Sequence, residues 1–361
     1  MADLMSGTWE YEKLEKTYNN FMVPAIKFEV GGTDLIKKGL RIVSAEAVLS
    51  IKGCSSVSVT FTDCYDLKNG TFDKDLKAAA VLGKPVVMSL GYGSAFQKVF
   101  KGYLSNVRMT MSVTRGMLME FVGLDARRLM MTDNNHIREY KIKNYSDAVS
   151  ELLKRYSKLA SPVVDATSEN MKDGLIWQNG SDYDFIMKEL IESGRTQREF
   201  FIAVDKVYFR KPRSVVAPVI TLKPGQGLAG FESDAGYVDE SFHVLGYDAA
   251  KGETIEGKAD AKTKWSSAAV LSQKGEWYIS DPACAAKNQA VNRAKALADR
   301  ALTASQRAQI SCVGLPELIP GRFIKIDRVD SLVNKKYYIT QVVHKIDENG
   351  YTTNLTTEGW E

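Results

Sequence analysis

The run Leu82-Gly83-Lys84-Pro85-Val86-Val87-Met88, followed by Val99-Phe100-Lys101-Gly102-Tyr103-Leu104-Ser105-Asn106-Val107, decides the fold class of this 361-residue chain, because the same order of parts returns near the end. There, Ile319-Pro320-Gly321-Arg322-Phe323-Ile324-Lys325-Ile326 leads into Tyr337-Tyr338-Ile339-Thr340-Gln341-Val342-Val343-His344-Lys345-Ile346. Leu82 and Phe100 are 18 residues apart, as are Pro320 and Tyr338. Each unit places a Gly/Pro entry before a strand, then a loop, then a longer strand that turns on glycine into a closing strand. The turns are Arg115-Gly116 and Glu348-Asn349-Gly350, and the closing strands are Met117–Val122, ending Gly123-Leu124-Asp125, and Tyr351–Thr357. Glycine at 116 and 350 fits the positive φ that tight hairpins require. Antiparallel meanders look alike at this level and residue identity between the two units is slight, so the repeat rests on order and spacing.

Working outward, Ile26-Lys27-Phe28-Glu29-Val30 and Ser56-Val57-Ser58-Val59-Thr60-Phe61-Thr62 alternate apolar and polar residues, as strands with one buried face do. They extend the first unit to a β block over 24–143. Ahead of Pro24 lies a charged leader, 1–23, dotted with Trp9, Tyr11, Tyr18 and Phe21. Between the units, 144–215 reads as a small α+β domain. Ser146 is placed to cap a helix carrying Ala148, Val149, Leu152, Leu153 and Tyr156 on one face. Ser181 heads a second helix, with Tyr183, Ile186, Met187, Leu190 and Ile191 at helical spacing and Gly194 at its end. Glu199–Val204 and Lys206–Arg210 form a hairpin. A second β block spans 216–361, with a helix inserted at about 282–303 behind an Asp281-Pro282 start.

Composition narrows the function. Lys and Arg number 48 against 44 Asp and Glu, too small an excess to predict nucleic-acid or anionic-membrane binding. No apolar run approaches the roughly 20 residues that span a bilayer, and the first residues lack the pattern of a secretory signal. Cys54, Cys64, Cys284 and Cys312 form no C-x-x-C pair, which fits reduced cysteines in a cytoplasmically made protein; a Cys54–Cys64 bridge across a hairpin is the one disulfide that stays open. His136, His243 and His344 have no ligand-spaced partners. Gly225-Gln226-Gly227-Leu228-Ala229-Gly230 matches G-x-G-x-x-G, but Phe231–Gly236 lacks helical periodicity, so a turn explains it better than a dinucleotide site. Lys287, Arg293, Lys295 and Arg300 read as a solvated helix face and not a nucleic-acid stripe, and the basic residues of Arg127–Lys158 are too dispersed to form a binding groove. Carboxylates such as Asp63, Asp66, Asp182, Asp184, Asp239 and Glu240 leave a hydrolase reading open, although nothing nominates one with a raised pKa. The expectation is no enzyme, no metal and no cofactor.

The Leu82–Asp125 run also resembles the baseplate hub proteins of contractile phage tails, the late control protein D family. Trp177-Gln178-Asn179-Gly180-Ser181-Asp182-Tyr183-Asp184-Phe185, Leu245-Gly246-Tyr247-Asp248 and Gly314–Gly321 through Tyr351 agree in the same order, so the resemblance covers about 25–360. The leader is not explained by it, and the expectation is that any spike is a separate polypeptide and not a fused extension. The resemblance implies two tail-tube-like antiparallel β-barrel modules flanking a small α+β domain. It further implies a homotrimer that connects a six-fold tail tube to a separate three-fold central spike, with other baseplate proteins as partners and no membrane insertion or sequence-specific nucleic-acid binding. Such a protein would be made in the bacterial cytoplasm and assembled into a phage tail or extracellular tail-like particle. Candidate structural or interface residues are Gly91, Gly102, Gly123, Asp125, Pro320, Gly321, Gly350, Tyr351 and Trp360, the last as a spike or neighbour contact. A tail-associated peptidoglycan hydrolase and a receptor- or glycan-binding tail module are the alternatives.

Overall fold

The computed structural model describes residues 3–113, 116–132, 137–168, 175–249, 251–263, 274–281 and 284–360, the last of these by its backbone. The chain is mainly β. Six long strands build the first block: β1 (Pro24–Val30), β2 (Arg41–Ser50), β3 (Ser56–Thr62), β4 (Pro85–Tyr92), β5 (Ala95–Ser112) and β6 (Gly116–Leu124). In β3, Val57, Val59 and Phe61 are buried while Ser56, Ser58, Thr60 and Thr62 stay half-exposed, so the alternation in sequence becomes the two faces of a strand. Phe61 meets Phe28 and Phe121 at ring separations of 6.2 and 5.5 Å, which curls the sheet around an aromatic core.

The middle region supplies α2, after the leader's α1 (Tyr11–Thr17), at Tyr145–Leu153, and a small sheet of β7 (Ser161–Val164), β8 (Glu199–Ala203) and β9 (Lys206–Arg210) in the order β7-β9-β8. Ala126, Met130 and Tyr140 pack into the same local core. The cap of α2 is Asn144, not Ser146; Ser146 sits inside the first turn, where its hydroxyl accepts from the Thr167 N–H. Ser181 does cap the second helix, accepting from the Asp184 N–H, and Gly194 ends it at φ +77°. Beyond Asp184 that helix widens into a π-helix, Phe185–Glu192. The wider winding turns Phe185, Ile186 and Leu190 inward and leaves Tyr183, Met187 and Ile191 only partly buried.

The second block contains β10 (Pro218–Pro224), β11 (Gly227–Ala235), β15 (Gln306–Val313), β16 (Phe323–Ile326), β17 (Lys336–Asp347) and β18 (Gly350–Trp360). Inserted between β11 and β15 are β12 (Asp239–Asp248), β13 (Glu253–Lys262), β14 (Gly275–Ser280) and helix α3 (Lys287–Ala304). The helix starts at Lys287 and not at the expected Asp281-Pro282. Pro282 lies outside the described residues, and the Asp281 carboxylate is taken up by an ion pair with Arg293 of α3. The alanine stripe Ala290, Ala294 and Ala298 faces the insert sheet, and Gly246 and Gly257 open the space for close approach. Gly225 and Gly227, at φ +77° and +83°, make the turn between β10 and β11.

The two blocks share one strand order. The first block runs β1-β4-β5-β6-β3-β2 and the second β10-β16-β17-β18-β15-β11. The second closes on itself, because β10 and β11 pair at Lys223–Gly227 and Pro224–Leu228, giving a six-stranded barrel. In the first block β1 and β2 do not pair among the described residues; β2 pairs instead with β17. With the short strand Thr33–Asp34 the two blocks therefore form one sheet of 13 strands around a shared hydrophobic core. The directions differ at one place: β1–β4 is antiparallel and β10–β16 parallel.

Phe61→Ala and Phe323→Ala, each emptying a fully enclosed aromatic site, are expected to cost about 3–5 kcal/mol in denaturant unfolding. A Cβ at Gly257 would lie 2.1 Å from the Ala290 carbonyl carbon, so Gly257→Val should lower stability by about 1–3 kcal/mol by levering α3 off its sheet.

Candidate assembly interface

The leader is a strap, and its side chains enter the shared core. Leu4, Met5, Leu14 and Tyr18 are buried there with residues of both blocks. Arg322, wholly buried just before β16, donates to the carbonyls of Leu4, Gly7 and Ala217. It has no carboxylate partner among the described residues; burial and the nearby charge of Arg210 pull its pKa down to about 10. The Trp9 N–H donates to the Val219 carbonyl of β10 at 2.8 Å. Farther along, the Tyr18 hydroxyl donates to the buried carboxylate of Glu317, and its ring lies 5.2 Å from Tyr92. Tyr92 in turn donates to the Gly314 carbonyl at 2.9 Å. Burial raises the Glu317 carboxyl above the ordinary range, the Tyr18 bond only partly opposing it.

The strap then reverses into β1 through three successive left-handed residues, Asn19, Asn20 and Phe21, at φ 48°, 55° and 60°. Left-handed backbone costs non-glycine residues about 1–2 kcal/mol each. Packing of the Phe21 ring against Tyr11, Tyr18 and Tyr92 holds it in place. The middle region is tied to the same point. Arg210 pairs with Glu199 at 2.7 Å and donates to the Gly321 carbonyl, and Tyr338 donates to Glu199.

Two edges within the 13-stranded sheet lack a strand partner over part of their length among the described residues. On β17, one edge pairs with β16 up to Tyr338 and then with β2, from Gln341 opposite Ser50 to Ile346 opposite Ala45. Its counterpart β5 pairs with β4 only up to Tyr103. Tyr103 stands nine residues before the end of β5 at Ser112, as Tyr338 stands nine before the end of β17 at Asp347. The stretch of β5 equivalent to Gln341–Ile346 is therefore Asn106–Met111, and no strand pairs with that edge among the described residues. Met109 and Met111 on it are 57% and 79% exposed. The counterpart of β2 is β11, which pairs with β15 along its length but with β10 only at Gly227 and Leu228. Its outer stretch, Glu232–Ala235, is exposed. Each edge thus lacks the strand partner that its counterpart has.

Of the residues singled out in sequence, Gly91 and Gly102 sit where a Cβ would meet the Ala95 and Leu124 carbonyl oxygens at 1.9 and 2.2 Å, and Gly123 lies against Val57, Val86 and Phe100. Asp125 is buried in an ion pair with Arg127 at 2.6 Å and accepts from the Ser55 N–H. Pro320 and Gly321 are buried beside the strap, Gly350 makes the β17–β18 turn at φ +105°, and Tyr351 covers Gly314. These positions lie apart, in the interior of both blocks or at a turn. The contact expected of the Trp360 side chain falls outside the described residues. Sequence reading missed the strap and both open edges; the length of β5 beyond its partner strand was the available signal.

All four cysteines are free. His344 is enclosed, donating from Nε2 to the Leu318 carbonyl with Nδ1 beside Thr353 and Tyr351, and burial lowers its pKa to about 4. His243 lies in the insert, and His136 is outside the described residues. Among the described residues no group of three or more His, Cys, Asp or Glu stands together as a metal site, and no helix is long and apolar enough to cross a membrane.

Residues 22–348 match the family model described as Alg8 N-terminal domain. The chain belongs to that family. No curated protein matches it in sequence. Among solved structures, this Alg8 N-terminal-type chain is similar to the 43 kDa tail protein of prophage MuSo2 from Shewanella oneidensis, with 11% identity, a TM-score of 0.67, and coverage of 92% of this chain and 98% of that one. A tail protein of Neisseria meningitidis gives 11% identity and a TM-score of 0.68, covering 93% and 97%. The E. coli c3393 protein, a type VI secretion system component with structural similarity to the T4 tail proteins gp27 and gp5, gives 12% and 0.57, covering 93% and 77%. At such identities the likeness establishes the fold, which is that of phage tail proteins.

Arg322→Met should leave the strap carbonyls of Leu4 and Gly7 and the Ala217 carbonyl without this donor, cost about 1–3 kcal/mol, and speed proteolytic loss of the leader. A carboxyl whose folded pKa is raised stabilises below its unfolded value near 4.3 and loses that contribution as pH rises through the folded pKa. Glu317→Gln should therefore flatten the decline in stability from mildly acid toward neutral pH, giving a variant more stable than the parent at pH 8 in thermal melts.

Proposed function

We propose that the chain is a structural hub of a contractile tail or tail-like injection particle, in which three copies close head to tail into a ring between a six-fold tail tube and a three-fold central spike. The observation that carries this reading is the open Asn106–Met111 edge of β5, which stands where β17 holds β2. A second copy offering the Glu232–Ala235 stretch of β11 would repeat between chains the joint that β2 and β17 make within one. Acidic Glu232 and Asp234 would approach an edge that carries Arg108, whose largely exposed guanidinium lies 3.6 Å from Glu120 of β6 within the chain. Two tube-like modules per chain give six in a trimer, which suits a six-fold neighbour on one side and a three-fold one on the other. Pairing the edges also removes the exposed strands that otherwise invite aggregation. The similarity to phage and type VI tail proteins supports the same placement, with tube, spike and other baseplate proteins as partners. In this reading the chain is made in the bacterial cytoplasm, works by geometry, and carries no catalytic group.

The double variant Met109→Glu/Met111→Glu tests it. Both side chains are exposed, so the single chain should keep its melting temperature, while acidic residues opposite Glu232 and Asp234 should abolish the three-copy species in mass photometry of the chain with its tube and spike partners. Three-copy rings at parental yield would refute the proposed joint.

A further inference from the structure

The insert within the second block has two sheet edges of opposite character. The β13 edge carries Glu253, Glu256, Lys258, Asp260 and Lys262, five charges in ten residues, the usual way a strand edge is protected from pairing. The β14 edge carries one charge, Glu276, beside Trp277, Tyr278 and Ile279. Trp277 is 54% and Tyr278 62% exposed, and as neighbours in a strand they project to opposite faces of the sheet. β14 pairs with β12 on one side and makes no main-chain hydrogen bond on the other among the described residues. Tyr278 stacks on His243 at 4.5 Å; that buried imidazole is held at Nδ1 by Glu256 and has no partner at Nε2 among the described residues. Glu276 accepts from Tyr278 and has no ion pair among the described residues.

We infer that β14 is a docking edge for an extended segment of a different polypeptide of the particle, which adds to the insert sheet as its fourth strand. The unpaired backbone groups require a strand as occupant. Trp277 and Tyr278, one on each face, call for apolar residues at two adjacent positions of that strand, and Glu276 calls for a lysine or arginine opposite it. A second copy of this chain is the wrong occupant: β14 against β14 is a two-fold contact, and on a head-to-tail ring each such contact would link one ring to another instead of closing. The choice between occupants rests on the proposed ring; the open edge does not.

Amide hydrogen exchange on the isolated chain, on rings of the chain alone and on complete particles separates the two. Amides of residues 275–280 that face the open edge should exchange about 100-fold more slowly in complete particles than in the isolated chain or the ring. Trp277→Lys/Tyr278→Lys, at two exposed positions, should remove that protection while leaving the Asn106–Met111 amides as slow as in the parent. A photocrosslinking residue at position 277 should join a different polypeptide. Equal exchange of 275–280 in all three states, protection already complete in the ring, or crosslinks to another copy of this chain alone would each overturn the inference. Loss of protection at Asn106–Met111 would speak against the ring and would leave the reading of β14 between isolated chain and particle intact.

Discussion

The backbone ladder between β2 and β17 makes one sheet of what would otherwise be two separate blocks. Six residue pairs, Ala45–Ile346 to Ser50–Gln341, carry it. Its consequence is asymmetry. The second block spends its first and last strands on closing a barrel, through β10 and β11, while the first block stays open because β2 is engaged elsewhere. Two blocks with one strand order thus end with different sets of satisfied edges. An edge left unsatisfied in one and filled in the other is the physical basis for reading the chain as a component of a larger assembly.

The joint would be weak if backbone pairing alone held it. The strap supplies the rest by placing apolar residues from the first 21 positions into the core that both blocks share. It does so at some electrostatic cost: a guanidinium is buried against backbone carbonyls, and a carboxyl is buried where a tyrosine hydroxyl and a backbone N–H only partly offset the loss of water. Each is held by partners fixed on separate parts of the chain, so neither contact survives if those parts drift. Arg210, Glu199 and Tyr338 do the same for the middle region. Buried groups of this kind give less stability than an apolar replacement of like shape would, and more definition of relative position.

The solvent face across the joint has a consistent chemistry. Ser44, Ser50, Ser56, Ser58 and Thr60 on β2 and β3 continue into Gln341, Asn354 and Thr356 on β17 and β18, and Glu46 stands opposite Lys345. Short neutral polar groups and the facing charges keep this face mostly polar, with Val48 and Val343 paired in the middle of the joint. The open edge of β14 is the contrasting case, aromatic and nearly uncharged.

Periodicity alone determined most of the strands, because alternation of apolar residues and placement of turn glycines are local properties. Ser181, Gly194 and Gly350 were legible for the same reason. Local signals failed where a longer-range partner outcompeted them: Asp281 looked like a cap and is bound by Arg293, Ser146 looked like a cap and is held by Thr167, and helical spacing at Tyr183–Ile191 is overridden by a wider turn. The leader could not be placed at all from sequence, since Leu4, Tyr18 and Arg322 acquire meaning only from residues some 300 positions away. Which strand edges are filled was likewise decided only in the tertiary structure. Every strand carries the same backbone donors and acceptors, so nothing in the order of side chains says that β2 reaches β17 while the matching edge of β5 stays open.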